Sequence, residues 1–181
     1  MTRFKFLLFV AVLFGFAALA HAGFDDGKAA YDRGYFSTAY KELQALAGLG
    51  DAEAQYYLGR MYDRGQGVPE DHAEAMRWYR KAANQGLPQA EFNLGLMYAK
   101  GQAVAKDNAE ALKWLRKSGE QGYAEAQSLL GVMYYLGQGV AKNDVEGIKW
   151  LNKSAEQRAA QLDPARSGET VPPLAERRDS D

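Results

Sequence analysis

The stretch "AQYYLGRMYDRGQGVPEDHAEAMRWYRKAANQG", residues 54–86, occurs three times in this chain of 181 residues. It returns as "AEFNLGLMYAKGQAVAKDNAEALKWLRKSGEQG" over residues 90–122 and as "AQSLLGVMYYLGQGVAKNDVEGIKWLNKSAEQR" over residues 126–158. One tryptophan per copy marks the period of 36 residues: Trp78, Trp114 and Trp150. A fixed period of this length predicts a solenoid, in which each unit packs on its neighbours.

Apolar spacing predicts that each unit begins with a helix, which we call the A helix. Ala54, Leu58 and Met61 stand at i, i+4 and i+7, so a helix over residues 52–63 carries them on one face. Gly65 then provides the left-handed residue that commonly ends a helix.

A second helix, the B helix, is predicted after a short loop. Asp71 and Glu74 form a capping box, in which the aspartate accepts a backbone amide and the glutamate side chain reaches back. The same pairs recur as Asp107 with Glu110 and Asn143 with Glu146. Gly86 and Gly122 end the first two B helices, whereas Arg158 stands at that place in the third.

The loop between the two helices raises the question of a bound ion. Glycines can surround an anion with backbone amides, and clustered acids can ligate calcium. The loop recurs in every unit, however, and Ala103 replaces Gly67 in the second. Since Asp71 is explained as a helix cap and the glycines as turn residues, we expect no metal, anion or cofactor here.

The first 22 residues have the pattern of a cleavable secretory signal peptide. Arg3 and Lys5 precede an unbroken apolar run over residues 6–20, and the small-x-small sequence "AHA" ends just before Gly23. The apolar run is shorter than the ~20 residues that span a bilayer, so cleavage is favoured over a retained membrane anchor. The pattern predicts a periplasmic or secreted protein with no stable membrane span after cleavage before Gly23.

Charge and residue content exclude several classes of function. Without residues 1–22 the chain keeps 20 basic and 23 acidic residues, so nucleic acid is not an expected partner. The sequence has no cysteine, which excludes disulfides, thiolate metal ligands and a thiol nucleophile. His72, the one histidine after residue 22, is expected at a solvated position, where it forms neither a metal site nor an acid–base pair.

The repeats divide the chain into six segments. The unit before the first full repeat has a shorter loop and is expected to cap the stack. The segment after the last repeat is expected to hold a short helical extension, near Ala155 to Leu162, and a disordered tail. The segments are the signal peptide 1–22, the capping unit 23–50, the full units 51–86, 87–122 and 123–158, and the C-terminal segment 159–181.

The repeated strings resemble the Sel-1-like repeat family, a branch of the tetratricopeptide superfamily. The resemblance covers residues 51–158 closely and residues 29–50 more loosely. It implies an all-α fold, a right-handed α-solenoid of antiparallel helix pairs that serves as an adaptor or scaffold, commonly in bacterial envelopes and in host-facing secretion. Likeness of fold does not identify the partner.

One branch of this family is cysteine-rich, with a disulfide in each repeat and reported penicillin binding or weak β-lactam hydrolysis. This chain departs from that branch because it has no cysteine, and no Ser-x-x-Lys follows residue 22. A hydrolase is therefore disfavoured, and we expect no enzymatic activity and no catalytic residues.

Six repeated residues are assigned to packing rather than to ligand binding. Tryptophans at a fixed place in every unit fit packing between helices better than ligand stacking. Small residues beside them, including one glycine per A helix, are expected to let helices approach around the rings. The six are Trp78, Trp114, Trp150, Gly59, Gly95 and Gly131.

Binding is expected at positions that the repeat leaves free. One row of the A helix lies about 160–200° from the core face, and the resemblance implies that A helices line the inner curve. We call this row the A-helix stripe: Tyr56, Arg60 and Asp63, then Phe92, Leu96 and Ala99, then Ser128, Val132 and Tyr135. Five of the nine are aromatic or large aliphatic, which favours a binding groove; partial cover by neighbouring helices is the alternative.

These features together predict a non-catalytic scaffold that binds a protein or peptide partner in a concave groove. A structural envelope component that assembles with itself is the alternative. The identity of the partner, the oligomeric state and any part that the tail takes in binding stay open.

Overall fold

The structure is a computed structural model and describes residues 23–162. These residues form eight helices and contain no strand. The helices are α1 (23–32), α2 (Phe36–Gly48), α3 (Ala52–Arg64), α4 (His72–Asn84), α5 (Pro88–Lys100), α6 (Asn108–Glu120), α7 (Ala124–Leu136) and α8 (Asp144–Leu162). The predicted signal peptide and the tail after Leu162 lie outside the described residues.

Consecutive helices pack on one another, which gives the all-α repeat solenoid that the sequence predicts. Hydrogen bonds at both ends of the α3–α4 pair show that the two helices are antiparallel. The Asp71 amide at the start of α4 donates to the Tyr62 carbonyl near the end of α3, at 2.9 Å. At the other end, Gln85 Nε2 donates to the carbonyl of Gly50, just before α3, at 2.9 Å.

The predicted helix caps are half right. The Asp71 carboxylate accepts the amides of Ala73 and Glu74 at 2.9 and 3.0 Å, as expected for a cap. The reach-back of Glu74 is wrong, because the Asp71 amide already donates to the Tyr62 carbonyl. The same tyrosine carbonyl bond recurs in the other units, from Asp107 to Tyr98 and from Asn143 to Tyr134.

The glycine-rich loop contains a left-handed turn and lies close to the backbone of the preceding unit. Gly67 has φ 76°, and Ala103 takes the same conformation with φ 64° in the second unit. A Cβ added at Gly67 would lie 2.8 Å from the carbonyl of Phe36, because the loop lies against the start of α2. The loop residues are therefore explained by the packing of one unit on the preceding one.

The core follows the predicted face of the A helices. Ala54, Leu58 and Met61 are completely buried. Their counterparts in the next units are also buried: Ala90, Leu94 and Met97, then Ala126, Leu130 and Met133. The apolar interior therefore runs along the stack as a series of clusters between adjacent units.

The repeated glycines allow close packing within a unit, but their partner is not the tryptophan. A Cβ at Gly59 would lie 2.6 Å from the Tyr79 ring, and one at Gly95 would lie 2.8 Å from Leu115. Gly131 makes the equivalent approach to Leu151. The expectation that these glycines surround the tryptophan rings is wrong, since each faces the residue after the tryptophan.

The tryptophans pack towards the preceding unit. Trp114 and Trp150 are 7% and 6% exposed, and a Cβ added to Gly119 of α6 would lie 3.3 Å from the Trp150 ring. The lysine three residues after each tryptophan places its ammonium over the ring: Lys81, Lys117 and Lys153 lie 3.8, 4.4 and 4.6 Å from Trp78, Trp114 and Trp150. These contacts give the tryptophans the packing role that their repetition predicts.

Helix α8 is longer than the other B helices. It has 19 residues, whereas α4 and α6 have 13. Arg158 replaces the glycine that follows the ends of α4 and α6, so the predicted extension continues α8 without a break to Leu162.

Candidate binding surface

The A-helix stripe lies on the surface of α3, α5 and α7. None of its nine residues is fully buried: seven are half-buried, while Val132 and Tyr135 are 42% and 51% exposed. Neighbouring helices therefore cover the stripe in part, and the cover decreases towards the C-terminal end.

At the N-terminal end of the stripe, a cation lies among aromatic rings. The Arg60 guanidinium carbon is 5.0 Å from the centre of the Tyr31 ring, 5.7 Å from Tyr56 and 5.6 Å from Tyr57. Burial raises the pKa of both Tyr56 and Tyr57, although the Arg60 charge opposes this. The hydroxyls therefore stay neutral near pH 7, and the rings hold Arg60 in place by cation–π attraction.

At the centre of the stripe, the second full unit packs on the third. The Phe92 ring packs on the ring of Tyr123, which precedes α7, with centres 5.3 Å apart. Burial raises the pKa of Tyr123 to about 12, helped by the charges of Glu125 and Tyr56 and opposed by Arg60.

Asp63 and His72 are paired with each other. His72 Nδ1 lies 3.1 Å from Asp63 Oδ1, and His72 Nε2 lies 3.4 Å from Glu70 Oε1. The expected solvated position of His72 is only partly correct, since its side chain is 35% exposed and lies between two carboxylates. Asp63 thus joins α3 to the start of α4, a role that the sequence pattern did not indicate.

The C-terminal part of the stripe contains one residue that is hydrogen-bonded to α8 and two residues that are exposed. Ser128 Oγ lies 2.8 Å from Ser154 Oγ and accepts from Arg158 Nη2 at 3.2 Å, which links α7 to α8. Val132 and Tyr135 face solvent, and the Lys142 ammonium lies 5.2 Å from the centre of the Tyr135 ring. The most accessible apolar surface of the stripe is therefore in the third unit.

Glu91 is a buried carboxyl that sequence reasoning missed. The corresponding residues, Gln55 and Gln127, donate through Nε2 to carbonyls of the preceding B helix at 3.1 and 2.9 Å. Glu91 is 3% exposed and accepts from Gln121 Nε2 at 2.7 Å. Burial raises its pKa, while the Lys117 charge and the Gln121 bond oppose the increase. Its signal in the sequence is a glutamate at a position where the other repeats have glutamine.

Residues 23–162 hold no group of three or more His, Cys, Asp or Glu side chains placed to bind a metal ion. They also contain no helix that is both long and apolar enough to cross a membrane. An open depression of about 320 Å³ lies on α6, away from the stripe, lined by Ala109, Leu112, Lys113, Arg116, Lys117 and Glu120.

Stacked antiparallel helix pairs define this protein as an α-helical repeat scaffold. The sequence model of the Sel1 repeat matches residues 52–87, 88–123 and 124–158, more than half of the chain. The chain therefore belongs to the Sel1 repeat family. Proteins of this family are generally non-catalytic scaffolds, and their repeats typically mediate protein–protein interactions.

Solved structures support this assignment. A Sel1 repeat protein from Oxalobacter formigenes is 36% identical with a TM-score of 0.71, over 74% of this chain and 55% of that one. The protective antigen c5321 of uropathogenic Escherichia coli, which has an SLR fold, is 39% identical with a TM-score of 0.73, over 82% of this chain and 33% of that one. This chain thus spans about half the length of the Oxalobacter protein and about a third of the length of c5321.

The cysteine-rich protein HcpB of Helicobacter pylori shares the fold alone. It is 21% identical with a TM-score of 0.52, over 76% of this chain and 94% of that one. Among curated proteins, no significant sequence match was found.

Proposed function

We propose that this protein is an exported, non-catalytic adaptor that binds a protein or peptide partner along the A-helix stripe. The observation that carries this proposal is the exposed pair Val132 and Tyr135, which continues a row of half-buried aromatic and aliphatic side chains. The opposite face of the same helices is completely buried and cannot bind a partner. Apolar surface that is left accessible beside a packed core commonly marks an interaction site.

The chemistry of the stripe suits an extended or helical segment with apolar side chains. Tyr56 and Phe92 are fixed by neighbouring rings, so they would lose little conformational freedom on binding. Arg60 adds a positive charge at one end, which favours a partner with a carboxylate near that position. Leu96 and Tyr135 supply apolar contacts further along.

We also propose that residues 1–22 direct export and are removed. The support is the basic start, the apolar run and the small residues before Gly23. Mass spectrometry of the protein from the periplasmic and culture fractions should find an N-terminus at Gly23. A protein in those fractions that still begins with Met1 would contradict cleavage.

Binding along the stripe is tested by the triple variant Phe92→Ser, Leu96→Ser, Tyr135→Ser. It removes apolar area from the stripe and leaves the fully buried core unchanged. Each apolar anchor in a peptide groove contributes ~1–2 kcal/mol, so the affinity for the partner should fall at least about tenfold. Capture would be measured by crosslinking and pull-down of the tagged mature protein from its own cell envelope.

The control is the double variant Tyr35→Ser, Leu49→Ser. These residues are 64% and 72% exposed and lie at the ends of α2, away from the stripe. The control should capture the same partner as the wild-type protein. Circular dichroism on each sample separates the outcomes: lost helicity in the triple variant would place its residues in the core, and intact helicity with full capture would reject the stripe as the site.

A further inference from the structure

The C-terminal end of the stack exposes an apolar strip that runs the length of α8. Val145, Ile148, Leu151 and Leu162 are 79%, 53%, 39% and 87% exposed. At 100° per residue, these four and the exposed Ala155 fall within about 120° of the helix circumference. We call these five residues the α8 face.

In the earlier units the middle of this face is buried, whereas the positions that match Val145, namely Ala73 and Ala109, are exposed. Tyr79 of α4 and Leu115 of α6 correspond to Leu151, and they are 1% and 0% exposed. Gly119 of α6 corresponds to Ala155, and a Cβ added there would lie within 3.3 Å of the Trp150 ring of the following unit. The central part of the α8 face therefore corresponds to a surface that the following unit covers in the earlier repeats.

The two ends of the stack differ in polarity. Helix α1 buries Phe24 and Tyr31 and exposes Asp26 and Asp32, the latter paired with Lys28 at 2.6 Å. Terminal units of solenoids generally need such a polar outer face. The third full unit instead exposes the apolar α8 face.

We propose that the α8 face binds the α8 face of a second copy of this chain, in a twofold-symmetric dimer with the two helices antiparallel. The polar α1 end is a poor match for an apolar strip, which argues against head-to-tail contact. An identical antiparallel helix matches the strip over its full length, including the part of α8 that extends beyond the length of α4 and α6. Such an interface is self-complementary and closes at two copies.

The charge of α8 agrees with antiparallel pairing. Four charged residues flank the α8 face. At 100° per residue, Asp144 and Arg158 lie on one side of the face and Lys149 and Glu156 on the other, whereas Glu146 and Lys153 point away from it. An antiparallel pair of helices centred near Leu151 places Asp144 beside Arg158 of the second copy, and Lys149 beside Glu156 of the second copy.

This inference goes beyond the proposed function and uses different residues. The dimer would form in the purified chain with no other protein present. Its failure would leave partner binding on the A-helix stripe untouched, and a failure of partner capture would leave the dimer untouched. If both hold, each assembly carries two stripes, which raises the avidity for a partner that presents two segments.

The first test is sedimentation equilibrium of the mature chain over a roughly hundredfold concentration range. The wild-type chain should fit a monomer–dimer equilibrium. Val145→Glu with Ile148→Glu should weaken dimerisation at least about hundredfold, because it places four charges in the symmetric interface. Tyr35→Glu with Leu49→Glu, a control of similar exposure, should dimerise like the wild type. Circular dichroism should show unchanged helicity in both variants.

A second test uses the absence of cysteine from the chain. Ala155 lies near the middle of α8, so two copies of Ala155→Cys should be joined rapidly by a short bis-maleimide. Ala45→Cys, an exposed position on α2, should not be joined under the same conditions.

A wild-type chain that stays monomeric over the whole range would overturn the proposal, whether the face is then open or covered by residues 163–181. A dimer that tolerates the two glutamates and does not crosslink through position 155 would also overturn it.

Discussion

The second and third full units carry the same pattern but differ in what they bury. Leu115 on α6 is completely buried, whereas its counterpart Leu151 on α8 is 39% exposed. Leu112 is half-buried, and its counterpart Ile148 is 53% exposed. The pattern thus determines the helices of a unit, while the place of the unit in the stack determines which of its faces reach solvent.

The comparison also shows that each B helix has a backward and a forward face. Trp114 and Trp150 are equally buried because both point towards the preceding unit. The residues after them, Leu115 and Leu151, lie nearer the following unit, and only the second lacks that neighbour. Substitutions at these four positions therefore separate the two faces by their effect on stability.

The largest effect is expected for the backward face. Trp114→Ala and Trp150→Ala should each lower the free energy of unfolding by ~3–5 kcal/mol, since both rings are buried to the same degree. Urea denaturation followed by circular dichroism would measure this. A Trp150→Ala protein as stable as the wild type would contradict the backward orientation of the ring.

The forward face should distinguish the two units. Leu115→Ala should lower the free energy of unfolding by ~2–5 kcal/mol, as for other fully buried leucines. Leu151→Ala should lower it by only ~1 kcal/mol when the protein is dilute enough to be monomeric, because that side chain is partly exposed already. Equal losses in the two variants would mean that α8 is covered within the monomer.

Glu91→Gln should stabilise the junction between the first and second units by ~1 kcal/mol at neutral pH. The amide restores the donor that Gln55 and Gln127 direct to the preceding B helix, and it removes a buried charge. Urea denaturation of both proteins at neutral pH would measure the gain.

The gain from Glu91→Gln should depend on pH. Burial raises the folded pKa of Glu91 above its ordinary value of 4.5, against the opposing Lys117 charge and Gln121 bond. The folded protein therefore binds the proton more tightly than the unfolded chain, and the wild type loses stability as the pH rises through the folded pKa. The difference in the free energy of unfolding between variant and wild type should be small below pH 4.5. It should reach its full value above the pKa that Glu91 has in the folded protein. If this difference in stability does not change with pH, the buried charge of Glu91 is not its cause.

The smallest effect is expected in the loop of the second unit. Ala103 has φ 64°, a conformation that alanine adopts with strain and glycine adopts freely. Ala103→Gly should raise the free energy of unfolding by ~0.5 kcal/mol. Glycine relieves the backbone strain, but it also gives the unfolded chain more conformational freedom, which offsets part of the gain. Gly139→Ala, at the corresponding place in the third unit, should destabilise, since its Cβ would overlap the Asn108 carbonyl. Thermal denaturation of both variants gives the comparison.

Much of the fold could be predicted because its signals are local. The period, the core face of the A helix and the cap at Asp71 depend on neighbours within a few residues, and each is confirmed. The acceptor of the Asp71 amide and the contact between Gly59 and Tyr79 depend on how two helices pack together. Sequence spacing carries no direct record of that geometry, so these details were missed or wrong.

The candidate site shows the same limit. Helical angles placed the stripe on the surface of the A helices, but they gave all three units the same exposure. The pairing of Asp63 with His72 depends on the loop, and the exposure of Tyr135 depends on the place of the third unit at the end of the described stack. The special environment of Glu91, in contrast, could have been predicted from the sequence, because the other repeats have glutamine at this position.

Site-specific photocrosslinking in the exporting cell tests the binding role of the stripe most directly. Benzoylphenylalanine would replace Tyr135, the most exposed stripe residue, and in a separate protein Lys113, which is exposed on α6. We expect a covalent adduct with a different protein from position 135 and none from position 113. Adducts from position 113 alone, or adducts at position 135 that contain only a second copy of this chain, would contradict it.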